Sequence, residues 1–178
     1  METIIDAKKS INSKRLTYKS GVEKADLLIM LFCSILMIGL ALILLISKFN
    51  SMPIPVLLLV IGFISWMIAN VVLFNTLVKV IGIDINNNRS DIICVLNEYF
   101  NLNLFDNNQT IIREIRSSGF IHWGRIITVL LDDNSVYINI KTLGRADGIS
   151  PFHGFTNYLK CKRIEKQFLQ LQHTKVKI

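Results

Sequence analysis

The sequence predicts an α+β membrane protein: a hairpin of two transmembrane helices, followed by a small cytosolic domain of one helix, three to four antiparallel strands and a closing helix. Two observations carry this prediction. Residues 27–47 and 53–78 are long apolar runs without a charged residue. Beyond them, apolar residues recur at helical spacing, then alternate as in strands, and then return to helical spacing. Three parts follow: a cytosolic N-terminal segment (1–25), the hairpin (26–79) and the cytosolic domain (80–178).

The two apolar runs are each long enough to cross a bilayer, which takes about 20 residues for a hydrocarbon core of roughly 30 Å. The residues between them are Lys48 to Met52, so the helices must return across the same membrane. A cleaved signal peptide is disfavoured because the first run is too long and no small-residue cleavage site follows it. A soluble helical bundle is disfavoured because the roughly 100 remaining residues are too few to cover both runs.

Positive charge is distributed unevenly around the hairpin, within a net charge of +7. Six Lys and Arg residues precede the first run, Lys48 stands between the runs, and thirteen follow the second. Because cytoplasmic flanks carry the excess of Lys and Arg, both termini are predicted inside and residues 47–52 outside. We expect an integral protein of a bacterial inner membrane. Residues 1–10 are left open as an interfacial helix or a disordered segment.

The excess of Lys and Arg residues indicates which kind of partner the protein binds. Lys and Arg gather near anionic lipid headgroups, so the bilayer itself is the simplest explanation of the charge. Nucleic acid is disfavoured as a partner because no aromatic residues alternate with the basic ones.

Two polar residues within the apolar runs, Ser34 and Asn70, lie at similar predicted depth, about 10–12 Å from the inner ends of their helices. A carboxamide in hydrocarbon needs a hydrogen-bond partner, so an interhelical contact between Ser34 and Asn70 is expected. The alternative is a bond between the Asn70 residues of two copies in a homo-oligomer. A pore is disfavoured because neither run carries a charge that would mark an ion path.

Two segments of the cytosolic domain have the apolar spacing of helices. Residues 81–89 are rich in turn formers and predict a connector, after which Ser90 is the expected N-cap of a helix. The last helix is expected to begin at Thr156 or Asn157. Its predicted inward face contains Leu159 or Cys161, Ile164, Phe168 and Leu171. Its opposite face is basic, and is either solvated or rests on anionic lipid or a partner: Lys160, Lys162, Arg163 and Lys166.

Between these helices the apolar period becomes that of strands. Residues 102–104 predict a short strand that ends in a turn at 106–108, and residues 109–117 predict another because β-branched residues dominate. The clearest pattern is a β-hairpin, in which segments 124–131 and 135–141 flank a polar Asp-Asp-Asn turn. Two helices covering one face of such a sheet form a complete two-layer domain.

The sequence contains no clear pattern of an enzyme, a cofactor site or a metal site. Cys33, Cys94 and Cys161 are scattered and predict neither a zinc site nor a disulfide framework. His122 and His153 are candidates for acid–base chemistry, but their spacing matches no metal motif.

The loop at residues 143–154 is the remaining candidate for a ligand site. Its glycines and its arginine could receive a phosphate, yet it lacks the G-x-x-x-x-G-K-[ST] order of a P-loop. The residues concerned are Gly144, Arg145, Asp147 and His153.

Three functions remain open on these grounds. The first is a non-enzymatic membrane protein whose cytosolic domain binds a protein partner, as a complex subunit, a regulator or a toxin-immunity protein. The second is an oligomeric, channel-like membrane effector with a cytosolic sensor domain. The third is a membrane-tethered enzyme that uses His122, His153 or the 143–154 loop. The absence of a spaced nucleophile–base pair in the sequence favours the first.

Overall fold

The computed structural model describes residues 5–19, 22–102, 106–107, 109–119, 123–144 and 148–176. In chain order the elements are α1 (Ala7–Ser13), α2 (Val22–Lys48), a 3-10 turn (Phe49–Ser51), α3 (Ile54–Leu73), β1 (Val78–Ile81), α4 (Ile85–Phe100), β2 (Asp106–Asn107), β3 (Ile111–Arg116), β4 (Gly124–Asp132), β5 (Ser135–Leu143) and α5 (Gly154–Val176). The predicted order of two apolar helices followed by a small α+β domain is confirmed.

Helices α2 and α3 form an antiparallel pair closed by the 3-10 turn. Segments Leu28–Lys48 and Ile54–Leu73 are long and apolar enough to cross a membrane, with mean hydropathies of 3.1 and 2.6. Only 11% of the residues in each segment are buried, so their apolar side chains face outward, unlike those of a core helix. Pro53 fixes the start of α3, where its missing N–H costs nothing.

The predicted end of the second helix at Val78 is wrong, because α3 ends at Leu73 and Val78 begins β1. In β1, Val78 and Val80 are buried and Lys79 is exposed. This alternation is that of an edge strand, and the strand pairs with β5 from Val78 opposite Ile138 onward. The apolar run therefore contains the end of a helix and the start of a sheet.

The sheet is antiparallel, with the strand order β1-β5-β4-β3-β2. The predicted hairpin is confirmed: β4 and β5 pair from Asp132 opposite Ser135 to Gly124 opposite Leu143. Strand β3 lies within the predicted 109–117 segment. The turn predicted at 106–108 is wrong for residues 106 and 107, which form β2 and pair with β3. Of the strand predicted at 102–104, Leu102 is outside any strand, and 103–104 lie outside the described residues.

Helices α4 and α5 cover one face of the sheet and close the main core. Val136, Ile138 and Ile140 of β5 point into this core, as their alternation predicts. On α5 the inward side is that of Cys161, because Leu159 is 41% exposed. Burying a side chain such as Phe168 stabilises the fold by about 1.5–3 kcal/mol. Further members of this core are Ile92, Val95, Leu96, Val129 and Ile164.

Both predicted helix starts in the domain are wrong. Asp84, rather than Ser90, caps α4: its carboxylate accepts the N–H groups of Asn86 at 2.9 Å and Asn87 at 3.0 Å. Asn86, Asn87 and Asn88 therefore lie in the first turn of α4 and not in a loop, and Asn88 is fully buried there.

The Asn88 carboxamide oxygen accepts hydrogen bonds from Ile83 N–H and from Gln172 Nε2, both at 2.9 Å. The bond from Gln172 ties α4 to α5, and the pairing of the oxygen offsets part of the cost of burying the carboxamide, whose nitrogen has no hydrogen-bond partner among the described residues. Helix α5 begins at Gly154, and Asn157 is buried inside its second turn instead of capping it.

The N-terminal segment covers the second face of the sheet. Residues 5–18 contain α1, and Ile5, Leu16 and Tyr18 are buried there. They pack against residues from the connector after α3 and from three strands: Leu77, Ile111, Leu130 and Tyr137. Of the two interpretations left open for residues 1–10, disorder does not apply to residues 5–10, which lie on the sheet.

Candidate functional site: the junction between the hairpin and the sheet

The end of α3 is bonded to the sheet and to the N-terminal segment. Asn139 of β5 donates through Nδ2 to the carbonyl oxygens of Phe74 at 3.1 Å and Thr76 at 3.0 Å. Arg15 donates to the carbonyl oxygen of Val72 at 2.8 Å. The last carbonyls of a helix have no partner within it, so these side chains satisfy groups that would otherwise need water.

The backbone continues this attachment beyond the helix. Leu16 N–H donates to Asn75 O at 2.8 Å, and Leu77 N–H donates to Lys14 O at 3.0 Å. Lys14 has a positive φ of 52°, which turns the chain sharply after α1 and brings the following residues alongside the connector. The N-terminal segment thus holds both the hairpin and the sheet.

Asn70 joins α3 to the start of α5. Its Oδ1 accepts the N–H of Phe155 at 3.0 Å, and its Nδ2 donates to the carbonyl oxygen of Trp66 at 2.8 Å. The first N–H groups of a helix need an acceptor, and here a side chain of another helix supplies it. A Cβ atom at Gly154 would lie 2.2 Å from the Asn70 carbonyl oxygen, so glycine is required for this close approach.

The predicted hydrogen bond between Ser34 and Asn70 is wrong. Both residues are fully buried, but Ser34 Oγ donates to the carbonyl oxygen of Met30 in its own helix, at 2.8 Å. Asn70 uses its amide nitrogen within α3 and its oxygen on α5. The depth predicted for Asn70 is wrong as well, because α3 ends at Leu73 and Asn70 lies only about 4.5 Å before that end. Its partner could not be predicted from spacing, since Phe155 is 85 residues away.

Lys141 is a buried cation at the same junction, 1% exposed. Its Nζ donates to the hydroxyl of Tyr18 and lies 4.6 Å from the ring centroids of both Tyr18 and Phe74. Contacts with aromatic faces offset part of the cost of removing an ammonium group from water. The period-two alternation of β5 signals this residue, because it places Lys141 on the same face as Tyr137 and Asn139, opposite the main core.

Exposed apolar side chains surround the start of α5. The ring of Phe152 stacks on that of Trp66, with centroids 5.9 Å apart and planes 6° from parallel. The ring of Trp123 lies 5.0 Å from that of His153. We call Trp123, Phe152, Phe155 and Leu159 the junction patch; their exposed fractions are 59%, 39%, 39% and 41%.

The basic residues of α5 follow this patch along the helix. Lys160, Lys162, Arg163 and Lys166 are all exposed, as predicted. Lys162 forms an ion pair with Glu165 at 2.7 Å, and this hydrogen bond raises the pKa of Lys162. Such exposed pairs contribute little to stability.

Ser150 and His153 form a hydrogen-bonded pair, with Oγ and Nδ1 2.7 Å apart. Burial lowers the pKa of His153, and the positive charge of Lys160 lowers it further, so the imidazole is neutral at pH 7. Ser150 Oγ also accepts the N–H of Phe152 at 3.4 Å, as in a turn that leads into a helix. Within the described ranges, no carboxylate bonds to His153.

The remaining candidates for a catalytic or ligand site are Cys161, the 143–154 loop and His122. Burial raises the pKa of the Cys161 thiol to about 12, so at neutral pH it is protonated and a poor nucleophile. Gly144 N–H donates to Gly148 O at 2.7 Å, which closes the candidate loop. Arg145, Asp147 and His122 lie outside the described residues. The described part of the chain holds no group of three His, Cys, Asp or Glu residues that could bind a metal ion.

No protein-family model, curated protein or solved structure matches this chain. The function is therefore inferred from the geometry of the junction and of the two apolar helices.

Proposed function

We propose that the chain is an integral membrane protein of two spans, with both termini in the cytoplasm, whose α+β domain is a non-enzymatic module that binds or regulates a protein partner. The observation that supports membrane insertion is the exposure of apolar side chains on the outer face of the helix pair. Eight side chains there are more than 60% exposed. Leaving them in water would cost about 25 cal/mol per Å² of apolar area, and a bilayer removes that cost. They are Ile29, Phe32, Ile35, Ile43, Ile46, Ile54, Leu58 and Leu59.

The charge distribution supports the orientation. The last residue of α2, next to the turn, is Lys48, whereas the remaining Lys and Arg residues belong to the two segments at the other end of the hairpin. Positive flanks stay in the cytoplasm. The domain and the N-terminal segment are bonded to that same end through Arg15 and Asn139, so they share one side of the membrane.

Cysteine labelling in intact cells tests this topology. We expect a Cys94→Ser, Ser51→Cys variant to react with a membrane-impermeant maleimide added outside. The native Cys94, which is exposed on α4, is the matched control and should react only after permeabilisation. Labelling of Ser51→Cys that also requires permeabilisation would refute the two-span topology.

The helix pair, outside the α+β domain, has an apolar groove in which a membrane-embedded part of such a partner can pack. A groove of about 430 Å³ separates part of α2 from α3. Unfilled space of this kind between helices is where a third helix can pack. The groove is lined by apolar residues of both helices: Met37, Leu40, Ala41, Leu44, Val56, Leu59, Val60 and Phe63.

Photo-crosslinking tests for a partner. A photoreactive residue at Val60, in the groove, should give one adduct with another protein, whereas one at Leu58, outside the groove, should give none. Mass spectrometry of the adduct identifies the partner. An adduct with a second copy of this chain would favour the oligomeric, channel-like function instead, and the absence of an adduct at Val60 would contradict partner binding there.

The enzyme alternative rests on the Ser150–His153 pair. We regard this pair as turn chemistry because Ser150 is 5% exposed and also accepts a backbone N–H. Ser150→Ala should therefore leave crosslinking at Val60 unchanged. Covalent labelling of Ser150 by a fluorophosphonate, lost in Ser150→Ala, would instead support a membrane-tethered hydrolase.

A further inference from the structure

We propose that the junction patch and the basic residues of α5 form a second contact with the bilayer, in which the patch enters the interface and Lys160, Arg163 and Lys166 bind anionic phospholipid headgroups. The inference rests on the proposed insertion of α2 and α3 as a hairpin. It concerns a different surface, which belongs to the α+β domain.

The position of the patch along α3 is the first argument. Phe152 stacks on Trp66, which lies seven residues before the end of α3, or about 10 Å along the helix axis. Phe155 donates to Asn70, about 4.5 Å from the same end. The start of α5 thus lies beside the last two turns of α3, and a bilayer that covers α3 reaches its level.

The chemistry of the patch is the second argument. Two phenylalanines, a tryptophan and a leucine are 39–59% exposed at one end of the domain. Apolar patches of this kind mark interaction sites, and tryptophan in particular is enriched where membrane meets water. The patch is continuous with the apolar surface of the hairpin through the Trp66–Phe152 stack, so the same bilayer is its nearest occupant.

The order of residues along α5 is the third argument. Phe155, Leu159, Lys162 and Lys166 recur at i, i+4, i+7 and i+11 and lie on one face of the helix. The apolar pair is nearest to α3, and the cations come one to two turns later. Helices at a membrane surface have this arrangement, with apolar groups among the acyl chains and Lys or Arg at the phosphates.

The exposed basic residues of α5 are net positive: Lys162 and Lys166 lie on the face of Phe155 and Leu159, and Lys160 and Arg163 lie outside it. Glu165 pairs with Lys162 and offsets one charge. Lys160, Arg163 and Lys166 have no recorded ion pair among the described residues, which leaves three cations for headgroups. Their attraction to the membrane depends on its anionic lipid and weakens with salt.

Tryptophan quenching by brominated lipids tests the inference, because the chain has two tryptophans at informative positions. The full-length protein is reconstituted into phosphatidylcholine vesicles with and without phosphatidylglycerol. Trp123→Phe leaves Trp66 as a reporter of the hairpin, and Trp66→Phe leaves Trp123 as a reporter of the patch. Trp66 should be quenched by bromine placed along the acyl chain, and Trp123 by bromine near the headgroup.

The two reporters separate the two proposals. If Trp66 is not quenched, the proposed membrane insertion fails. If Trp66 is quenched but Trp123 is accessible to aqueous iodide, the second contact alone is refuted. If Trp123 is shielded from both bromine and iodide, protein covers the patch, and the lipid inference is likewise refuted.

The charge requirement has its own matched control. Lys160→Gln/Lys166→Gln should abolish the increase in Trp123 quenching that phosphatidylglycerol produces. Lys8→Gln/Lys9→Gln removes the same charge from exposed positions of α1 and should leave that increase unchanged. An equal loss in both pairs would refute a specific role for α5 and indicate a general effect of net charge.

Discussion

Asn70 acts as a helix cap supplied by a neighbouring helix. Because its oxygen accepts the N–H of Phe155, Asn70→Leu should lower the free energy of unfolding by about 1 kcal/mol, the usual value of a cap. Denaturant unfolding in detergent, followed by near-UV circular dichroism, measures this. Ser34→Ala removes a bond within one helix turn and should change stability less.

The same pair of variants also tests oligomerisation. Light scattering should give one particle mass for the wild type, Asn70→Leu and Ser34→Ala, because Asn70 is already paired within its own chain. A smaller particle for Asn70→Leu alone would show that the carboxamide joins two copies.

Gly154 permits the close approach of α5 to α3. Gly154→Ala would place a methyl group against the Asn70 carbonyl and should destabilise the protein by about 1–3 kcal/mol, as overpacking does. Gly148→Ala is the matched control, because nothing lies within 4 Å of its added Cβ. Equal unfolding midpoints for the two variants would contradict the packing of these helices.

His153 should make the stability depend on pH. Its folded pKa is below the ordinary value of 6.5, so the unfolded state binds the proton first as the pH falls. Stability should be fully present above pH 6.5 and decrease from there down to the folded pKa. Unfolding midpoints of wild type and His153→Gln at pH 7.5 and 5.5 measure this. A wild-type decrease that His153→Gln leaves unchanged would assign the effect to another group.

Among the helices and strands, those whose pattern is set by residues close in sequence were predicted correctly. The β4–β5 hairpin and the inward face of α5 follow from spacing within a few residues. Strand β1 was missed because its identity comes from pairing with β5, some 60 residues later, while its own sequence continues an apolar run. The start of α4 was missed because three consecutive asparagines are typical of a loop. In the structure Asn88 is helical and buried, and its oxygen accepts hydrogen bonds from Ile83 and from the distant Gln172.

The N-terminal segment is an element of the fold through Leu16, which is 5% exposed between the sheet and the connector. Leu16→Ala should destabilise the protein by about 2–5 kcal/mol, since a buried leucine leaves a cavity. Ile83→Ala is the control: Ile83 is 47% exposed, and its loss should cost about 0.5 kcal/mol or less. A small effect at Leu16 would mean that the segment leaves the sheet in solution.

For the molecule as a whole, we expect the helical hairpin and the sheet to fold as one cooperative unit. A fragment of residues 87–178 would lack β1 and the N-terminal segment, so we expect it to show no cooperative unfolding transition. Cleavage at a protease site introduced into Phe49–Ser51 should by contrast leave the two halves associated, because Arg15 is bonded to the end of α3 and Leu16 and Tyr18 stay packed on the sheet. A cooperative transition in the fragment would show that the domain is independent.

The position of the N-terminal segment also sets an order of events during synthesis. Leu16 and Tyr18 leave the ribosome before either apolar helix, yet they are buried against Leu130 and Tyr137, which are translated more than a hundred residues later. Until those strands are made, the side chains of Leu16 and Tyr18 have no sheet to pack against. Under the proposed two-span topology, the first segment stays on the cytoplasmic side of the membrane while both helices insert, and the core is complete only when the last strands emerge.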